Sequence, residues 1–534
     1  MNDEIDALVV GGGLSGAVVT ARLAAAGINV VCLEQGDWPD YSRSRAEFDD
    51  YEVTAEYYWG RDTNKRRALG DYPIDHSESD IMPIMWNGVG GGTVLYGARW
   101  NRLAPSDFQV RSLDGVASDW PISYEDLAPY YSEAERQFGV SGLANDTAYP
   151  AGYNPPNPPV PLREFGRRTA RAHNKLGWHW WPGSNAISTT HYRNLLSPCR
   201  QHGVCTRGCP EGAKASTDLT HWPQAIRDGA KLETGARVVS LVTGGDKVTS
   251  VVYRVNGVNH QISARVVVLA GNGIGTPRLL LASADAVHPD GLGNHSGLVG
   301  RNLMMHPYAV VAGVFEDELG SVHGAAGQTI YSMQFYETDT DRGFVRGAKW
   351  GMGGTGGPLD LSTGYPWVQY GQPIWFDSFH QTVRERLGRT ATWTIVGEDL
   401  PELGNRVDLH PVLKDSDGLP APRVTYRLSE NSRRLLDFHT ARATESLEVA
   451  GAVQVAADPF VPESGWHLMG TARMGTDPEA SVTDPWGRVH EVSNLWIADS
   501  STWVTSGGVN PSATQAALAL RTADRLLSTE GGLR

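Results

Sequence analysis

The sequence predicts an α/β chain, α+β overall, in which a Rossmann-like dinucleotide-binding domain is joined to a second, antiparallel-sheet substrate domain. Three observations predict it. Residues 5–36 read as strand, glycine turn, helix, strand and acid. Residues 266–282 repeat the strand–glycine–helix plan. From about Tyr308 to Phe460 that plan is absent, and short strand-like runs with aromatics alternate with loops.

The first unit justifies its parts one by one. Leu8-Val9-Val10 is a short apolar strand, and Gly11-Gly12-Gly13-Leu14-Ser15-Gly16 supplies G-x-G-x-x-G. Gly11 allows the tight turn, Gly13 lets the backbone approach a pyrophosphate, and Gly16 lets helix and strand pack closely. The phosphates would sit at the positive N-terminus of the alanine-rich helix expected through Ala17–Ala26. A second apolar strand, Asn29–Leu33, ends in Glu34, about 20 residues beyond the glycines, where an acid accepts hydrogen bonds from a ribose 2′-hydroxyl.

Past Glu34 the stretch from Tyr41 to Asp80 is polar and charged, and reads as a long surface excursion, with a lid over a site as the functional alternative. A second glycine cluster follows at Trp86–Thr93. Its Gly90, Gly91 and Thr93 can bring backbone N–H groups and a hydroxyl close to a flat or anionic ligand. Residues 149–163 are proline-rich and read as a stiff connector. Cys199, Cys205 and Cys209 fall within eleven residues, with Cys32 apart in a strand. Such close thiols suit ligation of iron or zinc, or else form a plain thiol loop.

In the second unit Val266–Ala270 is a buried strand and Gly271 opens the turn. Thr276 reads as an N-cap and Pro277 as the first helical residue. Residues 351–364 look loop-like, 368–377 and 420–428 strand-like, and Arg433–Leu447 helical. Near the C-terminus His467 stands beside Gly470 and Thr471, and the strand Asn494–Ile497 leads to the acid Asp499. Asn510 reads as an N-cap and Pro511 as the first residue of a helix running to about Leu527. The positive end of that helix would stabilise adjacent negative charge.

Composition narrows the function classes. At 534 residues the chain exceeds one compact core, and 40% hydrophobic content is ordinary for a globular protein. A net charge of −14 argues against a nucleic-acid surface and slightly favours neutral or cationic ligands. The N-terminus shows no export signal and no apolar run approaches about 18 residues, so a cytoplasmic protein without a membrane span is expected. Four cysteines do not suggest a disulfide framework.

Together, residues 5–36, 88–103, 266–282, 298–307 (LVGRNLMMHP) and 465–527 resemble the glucose–methanol–choline (GMC) family of FAD-dependent alcohol oxidoreductases. The segment His467–Gly475 looks closest to its sugar-oxidising branch, which includes pyranose oxidase and the bacterial gluconate, fructose and glucose dehydrogenases. The resemblance implies FAD in the Gly11–Gly16 site, with cofactor contacts at Gly11, Gly13, Leu14, Ser15, Gly16, Glu34, Gly90, Gly91, Thr93, Val238, Gly271, Asp499, Asn510 and Pro511. It implies an FAD-binding domain in three parts (1–155, 196–307 and 465–534), a connector at 156–195 and a substrate domain at 308–464. It also implies that His467 and Asn510 are the catalytic pair. His467 would take the proton of a substrate hydroxyl while hydride passes to flavin N5, and Asn510 would hydrogen-bond the same oxygen. The substrate would be a sugar, glycoside or aminoglycoside, and the electron acceptor oxygen or another oxidant. Where covalent relatives carry a histidine in Ser-Thr-His-Trp, this chain reads Thr93-Val94-Leu95-Tyr96, so FAD should be non-covalent. The spacing of Cys199, Cys205 and Cys209 is similar to a three-iron cluster segment of bacterial glucose and fructose dehydrogenases. The alternative function is therefore a flavin/iron–sulfur dehydrogenase subunit passing electrons to a protein partner.

Overall fold

The computed structural model describes residues 5–41, 71–206, 208–325, 327–358, 361, 379–529 and 532–533. The strand-like run at 368–377 and most of the polar excursion after Tyr41 lie outside these residues.

Five parallel strands organise the nucleotide-binding half, in the order Leu495–Ile497, Val266–Leu269, Ala7–Val10, Val30–Leu33 and Lys231–Glu233. A parallel sheet must be covered on both faces, which is why its central strands are almost purely apolar. Alternate side chains divide between two cores, as the pleat requires. Ala7, Val9, Val30, Cys32, Val266 and Val268 pack beneath the helices Leu14–Ala25 and Ser512–Leu526. Leu8, Val31, Leu33, Val267 and Leu269 face the other way. There they meet the helix Asn272–Ala282 and an antiparallel meander of Arg237–Gly244, Lys247–Val255 and Val258–Ile262.

Six antiparallel strands form the second sheet, in the order Gln454–Asp458, Tyr308–Val314, Thr390–Gly397, Ala348–Gly353, Ile330–Ser332 and Trp181–Pro182. The helix Glu430–Val449 covers one face, packing Leu435, Leu436, Ala443 and Leu447 with Trp350, Trp393 and Ile395. Its N-cap Ser429 accepts from the Ser432 amide. The period of two then puts Tyr308, Lys349, Gly351 and Thr394 on the opposite face. That polar face turns toward the functional site. A smaller sheet pairs Arg406–Lys414 with Pro420–Tyr426, and the latter with Asp75–Ser79.

Two helix starts differ from the sequence reading. The helix after Gly271 begins at Asn272, so Thr276 is not its N-cap and Pro277 lies inside it. Gly271 holds the N-cap position, and Asn272 secures the first turn, its Oδ1 accepting from the Ile274 and Gly275 amides at 2.9 and 3.3 Å. Pro277 cannot donate to Gly273 four residues back. The Gly273 carbonyl accepts from Thr471 Oγ1 at 2.9 Å instead, which makes an internal proline tolerable. In the last helix, Ser512–Leu526, Pro511 holds the capping position and Asn510 does not cap. The Asn510 side chain is engaged elsewhere, in the site described next.

Candidate active site

The nucleotide half of the site begins at the glycine turn. Gly11 has φ +107°, and a Cβ there would lie 2.5 Å from the Ala270 carbonyl oxygen, so only glycine lets the two glycine turns touch. Gly13 sits at the N-cap of the helix Leu14–Ala25, which has no side-chain cap and no acid in its first turn. Its first N–H groups are therefore unsatisfied from within the helix and can bind an anion. Glu34 is buried, its two oxygens accepting from the Gly12 and Gly36 amides at 2.7 Å each. A carboxylate offers about four acceptor positions, so these contacts leave a ribose hydroxyl compatible. One cleft is bounded by Gly11, Glu34, Val238, Gly271, Thr276 and Leu279.

The second glycine cluster meets the first back to back, since a Cβ on Gly91 would stand 2.7 Å from Gly13 Cα. Thr93 closes its own turn, donating to the Gly90 carbonyl at 2.5 Å and accepting from the Thr217 amide at 3.1 Å. Buried Leu14 anchors the helix start in the core, and Ser15 Oγ accepts from Gln515 Nε2 at 3.0 Å, linking the first helix to the last. Asp499 accepts from the Asn272 amide at 3.0 Å and from Thr276 Oγ1 at 2.5 Å, so it ties the C-terminal strand to the second glycine turn. Unfilled helix N–H donors, two side-chain-free loops and a carboxylate at the cleft fit a dinucleotide such as FAD.

The chemical end of the site is built on the polar face of the six-stranded sheet. His467 is buried, and its Nδ1 lies 2.7 Å from His306 Nδ1. His306 Nε2 lies 2.7 Å from the Gly507 carbonyl. A carbonyl only accepts, so His306 carries its proton on Nε2 and offers a lone pair at Nδ1. His467 must then hold its proton on Nδ1, which leaves His467 Nε2 as the basic nitrogen. Burial, then His306, Lys349 and Arg99, holds the His467 pKa well below the usual imidazole value. Burial brings His306 down to about 4.

Asn510 reaches the same place by a chain of hydrogen bonds whose polarity is set at Gln328. Gln328 Nε2 donates to the Ser184 carbonyl at 3.1 Å and to Asn101 Oδ1 at 2.7 Å, so Gln328 Oε1 must face Lys349. Lys349 Nζ, fully buried, donates to that oxygen at 2.9 Å and to Asn510 Oδ1 at 2.7 Å. Asn510 Nδ2 then donates to the Tyr308 hydroxyl at 3.1 Å. The Tyr308 ring also packs on His467, with ring centres 5.8 Å apart, so one tyrosine joins the two expected catalytic residues. Arg99 donates to the Gly327 carbonyl and Thr394 Oγ1 at 3.1 and 3.2 Å.

Sequence reading missed His306, Tyr308, Lys349, Gln328 and Arg99. A lysine inside the otherwise apolar run at 348–352 was a signal, and so was the histidine before the final proline of LVGRNLMMHP.

The cysteine expectation requires correction. Among the described residues no three His, Cys, Asp or Glu side chains are gathered so as to hold a metal ion, so an iron–sulfur site at Cys199, Cys205 and Cys209 is not supported. The loop closes instead through its own backbone. Cys199 Sγ accepts from the Gln201 amide, and Cys209 Sγ from the Ala213 and Lys214 amides. The buried Lys214 ammonium sits on the Cys205 and Val94 carbonyls. The subunit reading that depended on a cluster is correspondingly not favoured. Among the described residues, no helix is long and apolar enough to cross a membrane.

Comparison with known proteins follows the same lines. Family models described as GMC oxidoreductase match residues 5–308 and 401–519. The 2-methyl-1,2-propanediol dehydrogenase of Mycolicibacterium austroafricanum is 41% identical, over 98% of this chain and 95% of that protein. The 6'''-hydroxyparomomycin C oxidase of Streptomyces lividus is 32% identical, over 98% of this chain and 91% of that protein. The crystal structure of a pyridoxine 4-oxidase from Mesorbium loti shares the fold, with a TM-score of 0.65 at 17% identity over 97% of this chain and 98% of that one.

Proposed function

The chain belongs to the GMC oxidoreductase family and is an FAD-dependent oxidoreductase acting on CH–OH donors, and from that premise we propose that it oxidises a hydroxyl of a carbohydrate-type polyol or diol, with His467 as base and Asn510 as its partner. The His306–His467 pair carries this reading, because it leaves an unprotonated, buried Nε2 pointing away from its own hydrogen bond. His467 Nε2 takes the hydroxyl proton, and Asn510 Nδ2 donates to the oxygen as alkoxide character develops. Tyr308 holds the two side chains together, and burial of the group keeps water from the reacting oxygen. Bound FAD supplies the acceptor for the hydride. Its contacts would lie at Gly11, Gly13, Leu14, Ser15, Gly16, Glu34, Gly90, Gly91, Thr93, Val238, Gly271, Asp499 and Pro511. Anaerobic bleaching of the flavin by diols, sugars, glycosides and aminoglycosides tests the proposal. Failure of every hydroxyl compound to bleach it would overturn the reading.

Two further results are expected. No imidazole stands in Thr93-Val94-Leu95-Tyr96, so acid precipitation should release the yellow cofactor into the supernatant. Flavin retained in the pellet would contradict this. The pH dependence has a definite sign. A histidine whose pKa is pushed down stays a base at lower pH, so the flavin-reduction rate should stay level from pH 8 to below pH ~6.5, the value at which an ordinary imidazole is half protonated. A rate already halved at that pH would mean that His467 titrates normally or is not the base.

A further inference from the structure

We infer that Lys349 is a positioning residue of the reaction: its buried Nζ, by donating to Oδ1, holds the amide of Asn510 with oxygen turned inward and nitrogen turned toward the reacting oxygen. The inference rests on the proposed role of Asn510 and adds a residue that role does not include. Asparagine is ambiguous in a site of this kind, since its amide can present either a donor or an acceptor. An Oδ1 facing a developing alkoxide would repel it, whereas Nδ2 would stabilise it. The structure removes the ambiguity from behind. The Ser184 carbonyl requires a donor, so Gln328 turns Nε2 to it and Oε1 to Lys349. Lys349 Nζ gives one hydrogen to that Oε1 and a second to Asn510 Oδ1 at 2.7 Å, which turns the Asn510 oxygen inward. Its Nδ2 then has one hydrogen on Tyr308 and a second available to substrate.

Among the described residues Lys349 has no carboxylate partner. It is fully buried on the sheet face opposite Trp350, and its hydrogen bonds go to two neutral amides. A buried lysine without a counter-charge is costly, so a purely structural lysine at this position would be disfavoured against an apolar residue of like volume. Burial and Arg99 push the Lys349 pKa well down, and in its protonated form its charge also acts on the base. The charged or titratable groups around His467 are His306, Lys349 and Arg99, with the Tyr308 hydroxyl nearby, and Lys349 and Arg99 both resist protonation of the imidazole. Donor and charge are thus two separable contributions of one side chain.

The experiment is a double-variant cycle on the holoenzyme, read as anaerobic flavin reduction at saturating substrate, with FAD content measured for every variant. Asn510→Ala should slow reduction by roughly 10²-fold. Lys349→Met, which removes donor and charge, should slow it by a similar factor. Above pH 7, where the base stays unprotonated in every variant, the double variant should be no slower than Asn510→Ala alone, because the Lys349 donor acts through Asn510. Lys349→Gln, which keeps a neutral donor, should recover most of the rate above pH 7 while the acid limb of the pH profile moves upward. It also serves where Lys349→Met fails to retain FAD. Multiplicative losses in the double variant, a Lys349→Gln as slow as Lys349→Met, or wild-type reduction by Lys349→Met would each overturn the inference. Wild-type reduction by Asn510→Ala would overturn the role of Asn510 itself, and the inference with it. Slow Asn510→Ala with multiplicative losses would overturn the inference alone.

Discussion

His467→Ala is expected to retain its FAD and to reduce it about 10²–10⁴-fold more slowly than the unaltered protein. The size follows from the loss of a positioned general base, and the selectivity follows from where the cofactor contacts lie. The glycine turn, the N-terminus of Leu14–Ala25 and Glu34 form one end of the site, in the parallel sheet. His467 is tied to the other end, through His306 and the polar face of the antiparallel sheet. Nothing in the first set depends on the imidazole. Alanine also leaves His306 Nδ1 without the donor it faces, so His306 loses a hydrogen bond that a solvent molecule can replace once the imidazole is gone. Anaerobic stopped-flow bleaching with a confirmed substrate measures the rate, and the ratio of flavin to protein absorbance measures retention. Full FAD together with an unaltered reduction rate would remove His467 as the base.

The parts of this arrangement that are local in sequence were legible, and the parts assembled across the chain were not. Residues 5–36 declare strand, turn, helix and strand because each element's period and each glycine's position act within a few residues of one another. The edge strand Lys231–Glu233 carries no such pattern. It has three residues, two of them charged, and it is a strand only because Val31–Leu33 lies beside it. The helix start at Asn272 was misread for a similar reason. Pro277 is normally a boundary, and a hydroxyl from Thr471, 198 residues beyond Gly273, supplies the donor that the Gly273 carbonyl lacks. His467 and Asn510 were readable as candidates from their glycine-rich surroundings. The residues that orient them, His306 and Lys349, each lie 161 positions from the side chain they hold. No spacing rule reaches that far. The cysteines show the converse, since close spacing suggested a shared ligand and the loop turned its own amides to the Cys199 and Cys209 sulfurs.

Gly16→Ala is expected to cost the protein its FAD and much of its thermal stability, against the ordinary effect of that substitution. Within a helix, alanine is normally about 1 kcal/mol better than glycine. Here a Cβ at position 16 would lie 1.8 Å from the Gly11 carbonyl oxygen, 3.0 Å from its carbon and 3.3 Å from Val9 Cγ1. The obstructing atoms are mostly backbone, so no rotamer change relieves the overlap. On its other side Gly11 packs against the second glycine turn, where a Cβ at position 11 would lie 2.5 Å from the Ala270 oxygen. The helix Leu14–Ala25 must therefore lift from the strand Ala7–Val10. Overpacking in a core costs about 1–3 kcal/mol when side chains can adjust, and a backbone overlap belongs at or above the top of that range. The same displacement moves the N–H groups that would face the phosphates of the proposed cofactor site, so cofactor affinity should fall with stability. Gly404→Ala is the matched control, since a Cβ there meets nothing within 4 Å. Flavin-to-protein ratio and thermal melting of the two variants give the comparison. If Gly16→Ala melts with the control and carries a full complement of FAD, close helix–strand contact is not what the last glycine of the turn provides.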